Sequence, residues 1–270
     1  MRRRTTIAQT PPTPAAAVDS LQRGLEALRC FRPGEDMLGT AELASRLNLP
    51  RNTTLRLLTT LQAHGFLRRQ PGTDEFSLDV ECLFVGQALL SSSLLVRSAR
   101  PVLQTLAARF DLHVLLCVPE RLDMLTLLHT SGSAAKPLPL AAGLTLPVAT
   151  TALGCAWLWT QQPAIQGEWL ARLRESAPAT GGNLQAAKIY QAFHEIEKGG
   201  TCFSQDDWRK DVSMVATPLV MRDGSTAAIA CVNAETQGRA DFSPECCAAL
   251  SEAAKEISHA IQGSPYRFNQ

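Results

Sequence analysis

Five arginines, Arg46, Arg51, Arg56, Arg68 and Arg69, fall between Glu42 and Asp74, a stretch that holds no carboxylate. A solvated helix face normally interleaves both signs. An arginine run without acids instead fits an anionic polymer, because each phosphate neutralised releases condensed counterion. Arg51, Asn52, Thr53 and Arg56 gather at the head of one segment, and their types suit duplex DNA. Arginine reads guanine or holds phosphate, asparagine pairs with adenine, and threonine reaches a phosphate or a thymine methyl. Arg68 and Arg69 are further candidate contacts. A net charge of +1 over 270 residues leaves no global field, so any such binding is local. Residues 1–76 hold 11 Arg and no Lys against 7 acids, while residues 77–270 hold 15 basic against 18 acidic residues.

These side chains need a scaffold, and apolar spacing supplies one. Val18, Leu21, Leu25, Leu28 and Phe31 recur close to the helical period, predicting a helix over 18–31 that Pro33-Gly34 ends. Thr40 is placed to cap a second helix over 41–47, and Asn48-Leu49-Pro50 makes a tight turn with proline opening a third. The third helix runs over 51–64, with Thr54, Leu57, Leu58 and Leu61 on one face and Gly65 as its stop. Leu57, Leu58 and Leu61 turned inward leave Arg51, Asn52, Thr53 and Arg56 outward. Phe66-Leu67-Arg68-Arg69, a turn at Gln70-Pro71-Gly72-Thr73-Asp74 and Phe76-Ser77-Leu78 predict a hairpin, which after a recognition helix is a wing. The competing reading, a helical subdomain with a solvated basic face, needs tight turn, hairpin and missing acids to coincide.

The motifs Ala41-Glu42-Leu43-Ala44, Leu49-Pro50-Arg51-Asn52-Thr53-Thr54, Arg56-Leu57-Leu58, Thr60-Leu61 and Gly65-Phe66-Leu67-Arg68-Arg69 resemble the winged helix-turn-helix of the IclR-type bacterial transcriptional regulators. Leu55 stands where relatives often carry a polar residue, which leaves a thymine methyl contact to that position.

Beyond residue 78 the pattern changes. Residues 79–93 read as a linker helix with Leu83, Phe84, Ala88 and Leu89 on one side, and 101–110 as a helix opened by Pro101. Strands follow over 114–118 and 124–129, joined at Pro119-Glu120-Arg121-Leu122-Asp123. Helices are expected over 151–161, 168–175 and 185–198. Three short strands come next, near Cys202 and over 215–221 and 227–233, and a closing helix over 243–262 carries Leu250, Ala254 and Ile257 inward. An antiparallel sheet flanked by helices makes this half an α+β domain. It too is similar to the family, through Leu146-Pro147, Thr151-Ala152-Leu153-Gly154-Cys155-Ala156, Ala216-Thr217-Pro218-Leu219 and the helix over 254–261; the resemblance implies a GAF-like effector-binding domain. The expected domains are a disordered arm (1–16), a winged helix-turn-helix (17–78), a linker helix (79–97) and an effector domain (98–264).

In similar proteins the ligand lies between the helix start at Thr151, Ala152, Leu153 and Gly154 and the strands near Val212, Met214, Ala230 and Val232. Free N–H groups at a helix start suit a carboxylate. Relatives usually carry lysine where Cys155 stands. The apolar strand residues favour a ring or alkyl body, with Ser204 as a polar contact, so an aromatic acid of benzoate or phenylpropanoid type is expected over glyoxylate or pyruvate. The alternative is that these positions are strand core.

Enzyme chemistry finds little footing. There is no Gly-x-Gly-x-x-Gly, P-loop, Gly-x-Ser-x-Gly or His-Glu-x-x-His motif. Cys155 near a helix start would have a lowered thiol pKa as a nucleophile, but no histidine is close to it in sequence. Asp206, Asp207 and Asp211 read as solvated loop residues before paired acids, and Trp157 and Trp159 as core. Eight scattered cysteines without Cys-x-x-Cys give neither a zinc site nor an expected disulfide, so no metal or cofactor is expected. No apolar run reaches the roughly 18 residues of a membrane helix, and the Thr/Pro-rich stretch after Arg2-Arg3-Arg4 lacks a signal's apolar core. The expectation is a cytoplasmic regulator bound to double-stranded operator DNA and a carboxylic acid effector, working as a homodimer or dimer of dimers. Its rival is a small-molecule sensor or hydrolase whose N-terminal helices mediate protein contacts.

Overall fold

The computed structural model describes residues 18–32, 34–176, 182–234 and 238–261. The expected arm over 1–16 and the Pro33 of the first turn lie outside them. The chain divides into two compact units between Ala88 and Leu89.

In the first unit, α1 (Asp19–Arg29) precedes β1 (Leu38–Gly39), α2 (Thr40–Leu47), α3 (Arg51–Ala63), β2 (Leu67–Arg69) and β3 (Glu75–Leu78). Asn48 ends α2 in the left-handed region at φ 51°, which asparagine tolerates, and Leu49 N–H closes the turn onto Ala44 O at 3.0 Å. Gly65, at φ +75°, stops α3 and lets Phe66 N–H reach Leu61 O at 3.0 Å. The strands pair antiparallel in the order β1-β3-β2, with Leu38 opposite Phe76 and Leu67 opposite Leu78. Ala27, Leu38, Leu43, Leu58, Leu67 and Phe76 form the core.

Three expectations change here. The core side of α1 is Gly24 and Ala27, while Val18, Leu21 and Leu25 are exposed. Ala27 lies in the core of the unit, with Leu28 and Phe31 half-buried against it. On α3 the buried pair is Thr54 and Leu58, with Leu57 and Leu61 half-buried. Thr40 is the first residue of α2 and not its cap: Gly39 holds the cap position, and the Thr40 hydroxyl donates to Asp74 Oδ1 at 2.9 Å.

Helix α4 (Val80–Ser92) crosses the division, with Val80, Leu83, Phe84, Val85 and Leu89 all exposed. Ser93 then caps α5 (Leu94–Phe110), its Oγ accepting Val96 N–H at 3.3 Å. The cap starts the helix seven residues before Pro101, which sits inside it and forfeits one backbone hydrogen bond. The division expected between 97 and 98 therefore falls within one helix.

The second unit is built on a six-stranded antiparallel sheet in the order β6-β5-β4-β9-β8-β7. Its strands are β4 (His113–Glu120), β5 (Asp123–Ser131), β6 (Thr145–Pro147), β7 (Cys202–Gln205), β8 (Val212–Val220) and β9 (Thr226–Ala234). Alternation along β4 sends Val114, Leu116 and Val118 to one face, against α5 and α9 (Pro244–Ala260). Leu115 and Cys117 go to the other, against α6 (Ala152–Trp159) and α8 (Gly182–Gly199). Burial on both faces explains why these strands read as unbroken apolar runs. β8 and β9 are longer than the short strands expected, β6 was not foreseen as a strand, and α7 (Pro163–Ser176) and α8 begin earlier than predicted. Gly154 packs so tightly that a Cβ would overlap the Val148 backbone. Trp157 is buried, donating from Nε1 to Thr226 Oγ1 at 3.0 Å, with Trp169 edge-on at 4.7 Å.

At one edge β8 outruns its neighbour. β7 pairs with residues 213–216 only, leaving 217–220 beyond it. There Thr217 Oγ1 donates to Gly200 O at 2.8 Å, and Ser258 Oγ to Val220 O at 2.6 Å.

Candidate functional site

The outward face of α3 presents Arg51, Asn52, Leu55, Arg56 and Thr59, all exposed, with Thr53 half-buried at its side. Arg56 and Arg68 have no side-chain partner among the described residues, so both guanidinium groups are free for phosphate or base. Arg51 and Arg69 are engaged. Arg51 meets Asp74 Oδ2 at 2.6 Å, and Arg69 lies 3.6 Å from Asp74 Oδ1, donates to Thr73 O at 3.2 Å and rests over the Phe76 ring. The Thr40 hydroxyl, then Arg51, hold the Asp74 carboxyl below its usual pKa. Arg46 leaves this face altogether: it binds Glu35 through two hydrogen bonds at 2.8 and 2.9 Å, Glu42 at 2.6 Å and Cys30 O at 2.8 Å. The carboxylates that engage these arginines come from outside the acid-free stretch or from its boundary.

In the second unit a cavity of about 160 Å³ opens between the start of α6, α8 and β7. Thr150, Cys155, Lys188, Gln191, Glu195 and Asp207 contribute to its lining, together with Ala152, Ser204 and Phe203. Lys188 pairs with Asp207. Glu195 takes both nitrogens of Arg239 at 3.0 Å and the Phe203 N–H at 3.1 Å. The Thr150 Oγ1 is buried without a hydrogen-bond partner.

Of the effector residues expected from sequence, Ala152 and Ser204 line this cavity. Thr151, Leu153, Gly154, Val212, Met214, Ala230 and Val232 are not part of its lining; all are buried, Leu153, Val212, Met214, Ala230 and Val232 in the apolar cluster that packs α6 against β8 and β9. The open volume lies over the edge strand β7 instead. The helix start is also not free. Thr151 Oγ1 accepts Gly154 N–H at 3.2 Å, and Ser204 Oγ accepts Ala152 N–H at 2.9 Å. Lys188, Gln191 and Glu195 on α8, and Thr150, went unnoticed in the sequence. Cys155 is buried, and burial pushes its thiol up to about 12, with Asp207 and Glu195 adding to the effect, the opposite of what a nucleophile needs. Asp206 and Asp211 shape their loop, Asp206 Oδ1 accepting Asp211 N–H at 2.6 Å.

A helix-turn-helix with a wing, followed by a sheet-and-helix unit that holds a polar cavity, defines a two-part DNA-binding regulator. Comparison with known proteins bears on which kind. The IclR helix-turn-helix domain matches residues 20–71, and the bacterial transcriptional regulator IclR C-terminal domain matches residues 87–259. The HTH-type transcriptional regulator TsaQ1/TsaQ2 of Comamonas testosteroni is 32% identical over 77% of this chain and 75% of that protein. An IclR family transcriptional regulator from Brucella abortus has a similar structure, at TM-score 0.83 and 30% identity over 95% of this chain and 97% of that one. An IclR homolog from Microbacterium hydrocarbonoxydans, complexed with 4-hydroxybenzoate, shares the fold at TM-score 0.72 and 20% identity, over 91% of this chain and 100% of that one. The chain belongs to the IclR family and is a DNA-binding transcriptional regulator, not an enzyme. Among the described residues no single helix is long and apolar enough to cross a membrane.

Proposed function

We propose that this regulator controls transcription in response to a single-ring aromatic acid held in the cavity between α6, α8 and β7. The observation that carries the reading is the Thr150 hydroxyl, buried at the cavity wall with no partner. A buried polar atom left unpaired costs about 1–3 kcal/mol, which a ligand's oxygen would recover. A volume near 160 Å³ suits one ring and little more, since a dry cavity of about 150 Å³ admits benzene. Phe203, Ala152 and Ala192 supply its apolar contacts, and Lys188 on α8 is a cation at its lining that a ligand's carboxylate would share with Asp207. The 4-hydroxybenzoate complex of the Microbacterium homolog is in keeping with this ligand class. Calorimetry on the full-length protein tests the idea. Binding of 4-hydroxybenzoate with no heat from glyoxylate is expected; glyoxylate binding with no response to aromatic acids would overturn it.

On the DNA side, Asn52, Thr53, Arg56 and Arg68 are the proposed contacts, with Arg51 and Arg69 held beside them. One winged helix makes few base contacts, so two copies on paired half-sites are expected. The exposed apolar residues Val80, Leu83, Phe84 and Leu89 on α4 give a second copy a surface to cover. Light scattering of the protein at micromolar concentration should show a dimer or larger, and a monomer would count against the pairing.

A further inference from the structure

The turn of the wing carries Asp74, a carboxylate whose position is fixed by the fold. Thr40, itself fully buried, donates its backbone N–H to Asp74 O at 3.0 Å and its hydroxyl to Asp74 Oδ1 at 2.9 Å. These two bonds fasten the wing turn to the start of α2, so the carboxylate is not a mobile surface acid. Two arginines from different elements converge on it, Arg51 from the head of α3 and Arg69 from the wing. Each pair by itself is worth little in water, because both partners are exposed. Their effect on a polyanion is larger, since a guanidinium shared with a carboxylate neutralises less phosphate charge and releases less counterion.

We propose that Asp74 is a specificity-determining residue that holds Arg51 and Arg69 away from indiscriminate phosphate binding. Arg56 and Arg68 remain free to make contact, and the two restrained arginines engage DNA only where the site repays loss of the Asp74 pairs. The inference rests on the reading of α3 and the wing as the DNA face.

The probe is a mixed-sequence 30-base-pair duplex titrated with full-length protein across a salt series. Asp74→Asn keeps an acceptor for the Thr40 hydroxyl while removing the charge, and Asp74→Ser supplies a second variant should the first melt early. Asp36→Asn, at an exposed acid of the same unit, controls for the added net charge. Asp74→Asn should tighten binding to the mixed duplex about three- to tenfold near 0.1 M salt and steepen the log–log salt slope by about one to two, beyond any change in the control. Selection from a randomised duplex pool should yield a less restricted set of sequences than wild type. Equal changes in Asp74→Asn and Asp36→Asn, or weaker binding by a variant that melts like wild type, would overturn the proposal. Arg56→Ala separates the two layers. If it weakens binding while Asp74→Asn matches its control, only this inference fails; if neither it nor Arg68→Ala matters, the DNA face itself is misplaced.

Discussion

Ser204 Oγ accepts the backbone N–H of Ala152 at 2.9 Å, joining β7 to the first turn of α6 at the floor of the cavity. A serine hydroxyl that accepts in this way still has its own proton to donate. Ser204→Ala should therefore weaken binding of an aromatic carboxylate by about 0.5–1.5 kcal/mol. Calorimetry with 4-hydroxybenzoate reads the change, and an unaltered affinity would remove Ser204 from the site.

The arginines should separate by their partners. Arg56→Ala is expected to cost about 1–3 kcal/mol on a selected operator and to relax sequence preference. Arg68→Ala should weaken binding to every sequence alike, and by more than Arg69→Ala, because Arg69 is already shared with Asp74 and Thr73. Fluorescence anisotropy with selected and scrambled duplexes distinguishes them; a larger loss from Arg69→Ala would contradict the geometry.

Gly154→Ala tests the packing beneath the cavity. The added methyl meets the Val148 backbone, which cannot step aside as a side chain would. Overpacking of this kind costs about 1–3 kcal/mol. Thermal melting of the variant should show the loss, and a wild-type midpoint would mean that the α6 segment moves freely.

The His113 and His129 rings stack with 3.0 Å between Nδ1 and Nε2, and His113 Nε2 lies 2.7 Å from Lys136 O. The carbonyl accepts only, so His113 Nε2 donates to it and His113 Nδ1 accepts from His129. Burial, then the neighbouring His113, lowers the His129 pKa from its ordinary 6.5. The unfolded chain therefore takes up this proton first. Stability from His129 is complete above pH 6.5 and is lost as pH falls from there towards the depressed folded value. Melting midpoints between pH 5 and 7.5 should fall more steeply for wild type than for His129→Gln; parallel curves would show that the pair carries no such linkage.

The helix-turn-helix was legible because its signals are local: a period of apolar residues, Asn48 and Pro50 in the turn, Gly65 at the stop. Local signals do not say which of several apolar stripes is buried, and on α1 Gly24 and Ala27 took the place expected of Leu21 and Leu25. Nor do they reveal partners distant in sequence, such as Thr40 and Asp74. The cavity was the least legible part. Lys188, Gln191 and Glu195 look like any solvated helix face until α8 is laid against β7. Met214 and Val232 sit opposite each other on β8 and β9, and from sequence such a pair reads equally as ligand wall or as the buried cluster it forms with α6.

The strand edge at residues 217–220 bears on the company this protein keeps in a crowded cell. An open edge invites a strand from another molecule to continue the ladder. Here Pro218 has no N–H to offer, and the Val220 carbonyl is already occupied by Ser258. An intruding strand would find missing and occupied rungs where β7 stops, so residues 217–220 make a poor template for continuing the ladder.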